Sequence, residues 1–356
     1  MSAPPATRAQ AATRVVVIAV DAEGGDNAPQ AIVEGALRAA SAETNVLLVG
    51  RAERLRELVG DAAHAEIVDA PDVIGSGDEP AHAVRDKPQS SLVTTARLVA
   101  EGRADAFYSA GNTGACLAAG LLTVRRLKGV LRPAICVVLP SQPRPTVLLD
   151  AGANAEVQPA HLRQFAVLGR AFCREVLGVA EPIVGLLSIG EEPGKGTPQV
   201  IEAHRLLSAD LGPAFFGNVE GRDLLNSTVD VVVTDGFTGN VALKASEGAA
   251  KAVLGLLKQA VARSSRAKVG ALLLKPDLVH IRAALDPEEY GAMHLLGMNR
   301  PMLIGHGSSG ARGAENAVRY AARAVSGHLV EAIAARLGDV RPSPADASDP
   351  ASRPPA

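Results

Sequence analysis

The chain has 356 residues, with 36 Lys and Arg against 38 Asp and Glu, and its formal net charge is −2. Hydrophobic residues make up 47%, but aromatic residues make up only 3% and Trp is absent, so the core consists mainly of Ala, Val and Leu. This composition excludes the basic surface and the aromatic stacking platform typical of nucleic-acid binding. No apolar run reaches the roughly 18 residues that a membrane-spanning helix needs.

Short β-branched runs alternate with amphipathic or Ala-rich segments along the chain. The runs predict strands over Arg14–Asp21, Asn45–Gly50, Ala65–Asp69, Ala104–Ser109, Ala134–Pro140, Thr146–Gly152, Pro182–Gly190, Val229–Gly236 and Pro301–Gly307. The intervening segments predict helices over Pro29–Ala40, Ser90–Glu101, Ala115–Leu127, Pro159–Leu177, Pro198–Ala209, Val241–Arg263 and Arg312–Leu337. This alternation predicts a three-layer α/β/α fold with a mainly parallel sheet, arranged as two lobes around a cleft.

The two ends of the chain differ in composition from the part between them. Residues 1–14 are polar and rich in Pro and Ala, and residues 338–356 have the composition of a disordered tail. We therefore expect one domain over residues 15–337. The three cysteines, Cys116, Cys136 and Cys173, are isolated and fit reduced thiols in a cytoplasmic protein.

Six predicted strands end in loops of glycine and small polar residues. Ligands bind beyond the carboxyl ends of parallel strands, so we expect these loops at one edge of the sheet. There they would let backbone N–H groups approach a polar ligand closely. The loops are Asp21–Pro29, Ser109–Ala115, Asp150–Asn154, Ser188–Pro198, Thr234–Asn240 and Gly305–Gly313.

Two of these loops lead into helices and are candidate anion sites. Asn112 and Thr113 precede one helix, where unpaired N–H groups and the helix dipole favour an anion. The alternative is that Asn112 or Thr113 only caps the helix. Ser308, Ser309 and Arg312 precede another helix, and arginine suits phosphate or carboxylate. The alternative for Arg312 is a solvated side chain.

Lys195 is the candidate cation, because it lies in a "GKG" loop after a strand. That loop lacks the spacing and the Ser or Thr of a nucleotide-binding P-loop. The spacings of a serine-hydrolase elbow and of a zinc site are also absent from the sequence. We expect the strand-end aspartates Asp21, Asp26, Asp150 and Asp235 to brace loops, with binding of a divalent ion or orientation of donors as the alternatives. We expect His306 to make a structural hydrogen bond, with a place in the site as the alternative.

Seven motifs, read in order, resemble the bacterial phosphate acyltransferase family. They are "VDAEGGDNAP", "SAGNTGA", "LLDAGAN", "IGEEPGKGTP", "GNVEGRD", "VVVTDGFTGNVALK" and "GHGSSGARG". The resemblance implies an enzyme that makes acyl phosphate from acyl-[acyl carrier protein] and inorganic phosphate. It also implies a fold like isocitrate and isopropylmalate dehydrogenases, a homodimer, and a place in phospholipid synthesis. Glu23 departs from the pattern, since the family has Met there.

The resemblance also implies roles for individual residues. Lys195 and Asn240 would form the catalytic centre, and Asp235 would orient neighbouring donors. The substrate and phosphate would be held by Gly24, Gly25, Asp26, Asn112, Thr113, Ser308, Ser309 and Arg312. Phosphate is itself the nucleophile, so the reaction needs no metal and no organic cofactor.

Residues 248–276 form a basic and apolar segment that contains no acid. Such a segment suits a lipid interface, and the resemblance then predicts peripheral membrane contact and transfer of acyl phosphate to a membrane glycerol-3-phosphate acyltransferase. The alternatives are contact with the acidic carrier protein or packing in the core or against a partner subunit.

Three other functions remain open from the sequence alone. A phosphotransacetylase would use acyl-CoA instead of acyl carrier protein. A dehydrogenase of related fold would need a metal and a dinucleotide. A regulator would bind phosphate without consuming a thioester.

Overall fold

The computed structural model describes residues 14–284 and 287–338, so the predicted disorder of residues 1–13 and 339–356 lies outside the described residues. Within them, eleven strands form one sheet in the order β3-β2-β1-β4-β11-β10-β5-β6-β9-β7-β8. The strands are β1 (Val16–Asp21), β2 (Thr44–Gly50), β3 (Ala65–Asp69), β4 (Ala106–Ser109), β5 (Ala134–Leu139), β6 (Thr146–Leu149), β7 (Val184–Leu187), β8 (Phe215–Val219), β9 (Val231–Val233), β10 (Met293–Leu296) and β11 (Met302–Ile304).

The sheet consists of two parallel blocks that run in opposite directions. Strands β3, β2, β1, β4 and β11 pair in parallel, and so do β6, β9, β7 and β8. Between the blocks, β10 is antiparallel to both β11 and β5, and β5 is antiparallel to β6. The fold class is therefore confirmed, with an antiparallel seam that the sequence does not predict.

The expectation that all six glycine-rich loops lie at one edge of the sheet is wrong. The loops after β1, β4 and β11 leave at one edge, whereas those after β6, β7 and β9 leave at the opposite edge. The reason is the seam, because each antiparallel pairing reverses the strand direction. The central strands are short, and β4 and β6 have four residues each. Residues of both sets of loops, among them Thr113, Gly152 and His306, nevertheless line one cavity together with β5.

Helices cover both faces of the sheet. They are α1 (Gln30–Ala39), α2 (Ala52–Val59), α3 (Pro80–Asp86), α4 (Ser91–Ala100), α5 (Thr113–Ala119), α6 (Pro159–Glu175), α7 (Pro198–Leu211), α8 (Gly236–Ala262), α9 (Ser265–Ala284), α10 (Ala311–Ser326) and α11 (Leu329–Leu337). Alternate residues of each strand point to opposite faces, so one sheet carries two apolar surfaces.

The two apolar surfaces of the sheet form three hydrophobic clusters. One cluster joins α4 and α5 to a face that runs across both blocks and includes Ala19, Ile135 and Val232. On the other face, one cluster lies under α1, α2 and α10, and another lies under α6, α7 and α11. Leu243 of α8 belongs to the first cluster. This arrangement places the start of α8 on the same face as α5.

Several elements were missed or had different bounds. Helices α2, α3 and α9 and strands β8 and β10 were not predicted. Helix α3 and the two strands are short, whereas α2 buries Ala52, Leu55 and Val59 on one face, a pattern that could have indicated it. The helix predicted over Arg312–Leu337 is two helices, because the chain turns at Gly327 and at His328, whose φ is 52°. Helix α8 begins five residues before the predicted start, where Asp235 caps it.

Helices α8 and α9 form a hairpin (residues 236–284), and its side chains over residues 236–274 lie largely outside the core. Only Gly236, Gly239 and Leu243 of α8 are buried. Exposed apolar side chains follow along the hairpin: Val253, Leu256, Leu257, Val269, Leu272, Leu273 and Leu274. Over residues 14–284 and 287–338, no helix combines the length and apolar character needed to cross a membrane.

Glu23, which stands where the resembling family has Met, is paired with Arg51. The Glu23 side chain is 3% exposed and that of Arg51 is 48% exposed, and Arg51 Nη2 lies 2.6 Å from Glu23 Oε2. Arg51 Nε and its backbone N–H both donate to Oε1, at 3.0 and 3.1 Å. Burial alone would raise the pKa of Glu23, but the hydrogen bonds and charge of Arg51 outweigh burial and lower it.

Replacing Arg51 with Met should lower the free energy of unfolding by about 2–3 kcal/mol at neutral pH, because a buried carboxylate loses its cation. The pKa of Glu23 is lowered, so its stabilising effect is complete above the ordinary value of 4.5 and is lost as the pH falls through the folded value. The difference between variant and wild type should therefore shrink in acid. Denaturant unfolding at several pH values measures it.

The double variant Glu23→Met/Arg51→Met should recover most of this stability, since no buried charge remains. The exposed Arg56 of α2, the helix that begins directly after Arg51, gives a matched control, Arg56→Met. Equal stability of Arg51→Met and Arg56→Met at neutral pH would contradict the role given to the pair.

Candidate functional site

A cavity of about 640 Å³ lies over β5, between the two sets of loops. Its wall is mainly apolar, and the apolar residues include Ile135, Val137, Leu139, Leu225, Leu243, Ala250 and Met293. Polar side chains from both blocks reach the same wall: Thr113, Asn240, Lys244, Ser246, Glu247 and His306. The cavity therefore combines a hydrocarbon-like surface with a small polar region, as sites for amphipathic ligands do.

The loops after β1 and β4 are held together by a buried carboxylate. Ser109 Oγ donates to Asp21 Oδ2 at 2.6 Å, and the Gly111 N–H donates to Ser109 Oγ at 3.0 Å. A Cβ on Gly24 would lie 2.7 Å from Asp21 Oδ2, so this close approach requires glycine. Burial raises the pKa of Asp21, and the hydrogen bond from Ser109 opposes that rise only in part. Asp21 braces the loop, as the sequence predicts.

The loop after β1 also supports the loop after β11. The Asp26 N–H donates to the Gly307 carbonyl at 2.7 Å. Asn27 Nδ2 donates to the carbonyls of Ser308 and Ser309, at 3.1 and 3.2 Å. Gly25 has a φ of +103°, which glycine adopts readily. Gly24, Gly25 and Asp26, which the sequence predicts as substrate-binding residues, therefore support the loop after β11, which lines the cavity, and are not part of the described wall.

Both the oxygen and the nitrogen of the Asn112 side chain make hydrogen bonds to groups of the protein itself. Its Oδ1 accepts from the Ala115 N–H at 3.1 Å and caps α5. Its Nδ2 faces the carbonyls of Ser76 and Asp78, at 3.3 and 3.2 Å. The capping alternative is therefore what the geometry shows for this side chain. Thr113, the next residue, is exposed and lines the cavity.

The opposite wall is built by the loop after β6 and the start of α8. Buried Asp150 accepts hydrogen bonds from the N–H groups of Ile135, Gly152, Ala153 and Asn154. A Cβ on Gly239 would lie 1.9 Å from the Asp150 carbonyl oxygen, so α8 is seated directly on this loop. Asp235 caps α8 by accepting from the Thr238 N–H at 2.8 Å. This seating places Asn240, in the second turn, at the cavity.

Lys195 lies on the loop after β7 and is exposed. Its backbone is fixed, because the Ser188 hydroxyl donates to the Lys195 carbonyl at 2.9 Å and its N–H donates to the Glu192 carbonyl at 3.0 Å. Its side chain crosses Gly190, where a Cβ would lie 3.0 Å from Lys195 Cγ. Lys195 is not one of the described residues that form the cavity wall. The structure therefore does not bring Lys195 and Asn240 into one cavity.

The predicted anion site before α10 holds two carboxylates of the protein itself. Glu288 accepts from the Gly310 N–H, and Glu289 pairs with Arg312. Both belong to a short 3-10 helix, Pro287–Glu289, that follows α9. Ser309 Oγ donates to the His306 carbonyl at 2.6 Å and is buried, while Ser308 is exposed. An anion binding here would meet negative charge that the sequence does not predict.

Lys244 and His306 are among the polar side chains of the cavity wall that the sequence analysis did not assign to the site. Lys244 lies one turn after Asn240 on α8 and is the only Lys or Arg in the described wall. It pairs with Glu247 at 3.1 Å, and its side chain remains 50% exposed. The i, i+4 spacing of Asn240 and Lys244 in "GNVALK" could have indicated one helix face. His306, weighed as a structural histidine, lines the cavity as well.

The dehydrogenase alternative requires a group of side chains that can hold a metal ion. Over residues 14–284 and 287–338, no group of three or more His, Cys, Asp or Glu side chains is arranged to hold a metal ion. The strand-end aspartates Asp21, Asp150 and Asp235 instead accept hydrogen bonds from neighbouring backbone or hydroxyl groups.

Comparison with known proteins gives consistent family matches. A family model described as a fatty acid synthesis protein matches residues 16–331. The chain is 46% identical over 327 residues to a phosphate acyltransferase of Pelotomaculum thermopropionicum, covering 91% of this chain and 95% of that protein. It is 48% identical over 321 residues to a phosphate acyltransferase of Thermus thermophilus, covering 90% and 98%.

Solved structures of low identity show the same fold. A phosphotransacetylase from Staphylococcus aureus matches with a TM-score of 0.57 at 15% identity, covering 87% of this chain and 94% of that chain. A branched-chain phosphotransacylase from Enterococcus faecalis matches with a TM-score of 0.52 at 16% identity, covering 87% and 99%. The high identity and coverage of the relatives show that this chain is an acyltransferase and belongs to the bacterial phosphate acyltransferase family.

Proposed function

We propose that this enzyme converts acyl-[acyl carrier protein] and inorganic phosphate to acyl phosphate and free carrier protein, for phospholipid synthesis. The observation that carries the proposal is the cavity of about 640 Å³, whose wall is mainly apolar but includes the cation Lys244 and hydrogen-bonding side chains such as Thr113, Asn240 and Ser246. A fatty acyl thioester needs an apolar surface for its chain and polar groups at its carbonyl, and this wall supplies both.

The acyl chain would lie against β5 and α8. Ile135, Val137 and Leu139 alternate along β5 and face the cavity, and Leu243 faces it from α8. Each methylene buried there contributes about 0.8 kcal/mol, so long chains bind much more strongly than acetyl groups. This difference favours a fatty acyl donor over acetyl-CoA.

The reaction is an addition of phosphate to the thioester carbonyl followed by loss of the thiol, with no covalent bond to the enzyme. A phosphate oxygen attacks the thioester carbonyl carbon, the carbonyl oxygen takes the electron pair, and the carbon–sulfur bond then breaks. The proton lost by phosphate ends on the departing sulfur, so no other reactant is consumed. Holding phosphate at attack distance can lower the barrier by about 7–11 kcal/mol. Lys195 neutralises developing charge and Asn240 orients the phosphate or carbonyl in this proposal.

Phosphate is held in the polar region by Thr113, Ser308, Ser309 and Arg312, with Lys244 as the cation of the wall. Asp235 and Asn112 act by fixing the helices that carry Asn240 and Thr113. The Gly24–Asp26 turn supports the loop after β11, which carries Ser308 and Ser309. This arrangement is supported by hydrogen bonds among the loops, at 2.7 Å for Asp26 to Gly307 and 2.8 Å for Asp235 to Thr238.

Replacing Arg312 with Ala should raise the phosphate concentration needed for half-saturation about tenfold, because a charge-assisted contact is lost. Glu289→Gln should lower that concentration, since it removes the negative charge of a carboxylate that pairs with Arg312. Initial rates against phosphate measure both. If phosphate saturation is unchanged in Arg312→Ala and only the acyl-donor requirement rises, Arg312 contacts the carrier protein instead.

Mass spectrometry of acyl carrier protein tests the function itself. Palmitoyl-carrier protein should lose its acyl group only when phosphate and enzyme are both present, and acyl phosphate should accumulate. Acetyl-CoA should be a poor donor. Preference for acetyl-CoA would favour a phosphotransacetylase, and formation of reduced nicotinamide from a hydroxyacid would favour a dehydrogenase. Phosphate binding without thioester loss would favour a regulator.

The hairpin provides the surface for partners. Over residues 248–274 it carries Lys251, Lys258, Arg263, Arg266 and Lys268 and no acid. Its charge and exposed leucines suit reversible contact with an anionic membrane, where a glycerol-3-phosphate acyltransferase would receive acyl phosphate. The same charge suits the acidic carrier protein, and the apolar residues suit a homodimer. We propose a cytoplasmic homodimer that binds the membrane peripherally.

A further inference from the structure

His306 is held by its own loop in one orientation. Its Nδ1 accepts from the Ser308 N–H at 3.2 Å and lies 2.8 Å from Ser308 Oγ. A backbone N–H can only donate, so Nδ1 must be the unprotonated nitrogen. The neutral ring then carries its proton on Nε2.

The carbonyl of His306 is fixed as well. The Ser309 N–H donates to it at 2.9 Å and Ser309 Oγ donates to it at 2.6 Å. Asn27 Nδ2 holds the next carbonyls of the loop, at 3.1 Å to Ser308. Both sides of the residue are thus anchored before any ligand binds, which is the condition for a preorganised donor.

His306 is exposed and lines the cavity, together with Thr113 and Asn240. Because Nδ1 faces its own loop, the Nε2 edge is the part of the ring available to a ligand. We propose that the Nε2–H of His306 donates a hydrogen bond to the thioester carbonyl oxygen and stabilises the oxyanion that forms when phosphate attacks. This inference rests on the proposed function and adds a catalytic residue to it.

His306 keeps its proton throughout the reaction. Giving up the Nε2 proton would leave an imidazolate, since Nδ1 carries no proton while Ser308 donates to it. The electron pair of the carbonyl moves to oxygen, receives the hydrogen bond, and returns when the carbon–sulfur bond breaks. The proton for sulfur comes from phosphate. The histidine is therefore an electrophile, as a neutral histidine can be, and not a general acid.

His306→Ala should lower kcat about 10²-fold while leaving half-saturation by phosphate little changed, because one oxyanion donor is lost. His306→Gln places an amide N–H donor on a side chain of similar reach and should recover about tenfold of that loss. His64 also makes a side-chain hydrogen bond, to Asn45 at 3.2 Å, but lies outside the cavity, so His64→Asn is the control. Rates with palmitoyl-carrier protein, and thermal unfolding of each variant, make the comparison.

Nitrogen-15 NMR of labelled histidines gives a readout that does not need turnover. The His306 signal, identified by its loss in His306→Gln, should show the Nε2–H tautomer. A proton on Nδ1, or near-wild-type kcat in a folded His306→Ala, would overturn the proposal. An equal loss of kcat in His306→Ala and His306→Gln would also overturn the proposal, because a hydrogen-bond donor at this position would then not restore the rate. If wild type forms no acyl phosphate but shows the Nε2–H tautomer, the proposed function fails and the catalytic role fails with it, whereas the ring geometry stands.

Discussion

Lys195→Ala is expected to lower turnover at least 10²-fold while leaving the fold intact, because a cation aimed at developing negative charge is worth that much in rate. Thermal unfolding should be unchanged, since the side chain is exposed. The loop should keep its shape, because Ser188 bonds to the Lys195 carbonyl and not to the side chain. Single-turnover and steady-state rates with palmitoyl-carrier protein measure the loss.

The matched comparison for this prediction is Lys244→Ala. Lys244 is already in the cavity wall, and its removal should mainly raise the phosphate requirement. Lys195 is not part of that wall, and its side chain packs over Gly190. Normal turnover in Lys195→Ala combined with a large loss in Lys244→Ala would show that Lys244 is the catalytic cation. Lys195→Arg, which keeps the charge, should retain more activity than Lys195→Ala.

Changing Leu272, Leu273 and Leu274 together to Ser is expected to abolish binding to anionic vesicles. The exposed fractions of these side chains are 69%, 75% and 55%, and they would insert into the lipid interface. Five neighbouring basic residues would each add about 1 kcal/mol near an anionic surface. Wild type should therefore co-sediment with vesicles at low salt and be released by high salt.

Phe216→Ser supplies the control, because Phe216 is 58% exposed on β8 and lies outside the hairpin. It should leave vesicle binding unchanged. Equal sedimentation of wild type and the triple variant at every salt concentration would exclude this segment as the anchor. If the triple variant instead becomes monomeric in analytical ultracentrifugation, the leucines form a subunit interface.

The sequence was most informative for features that depend on the residue type at one position and on its immediate neighbours. Asp150 and Asp21 follow buried strands, and burial beside loop N–H groups makes them braces, as predicted. Gly24 and Gly239 allow approaches that a Cβ would block. These features are local, so motif and spacing reveal them.

The sequence could not reveal features that depend on distant pairing. Strand β10 joins the two blocks by pairing with both β11 and β5, although some 150 residues separate it from β5 in sequence. Because β10 is antiparallel to both neighbours, β11 and β5 run in the same direction, and the reversal between the blocks comes from the pairing of β5 with β6. Glu288 and Glu289 reach the start of α10 only through that topology. Spacing places Lys244 on the same helix face as Asn240, but the contact of that face with the cavity depends on the seating of Gly239 on Asp150, which the spacing does not show.

The antiparallel seam has a consequence for synthesis of the chain. Strands β10 and β11 are the last two made, yet they lie at the centre of the sheet, between β4 and β5. Before they emerge from the ribosome, the strands on either side have no shared ladder of hydrogen bonds, and each block has an open edge. The cavity, with walls from both blocks, comes into being only when this late segment inserts. A chain ending before Met293 would therefore lose the strands that join the two blocks, together with α10 and α11, which cover one face of each block.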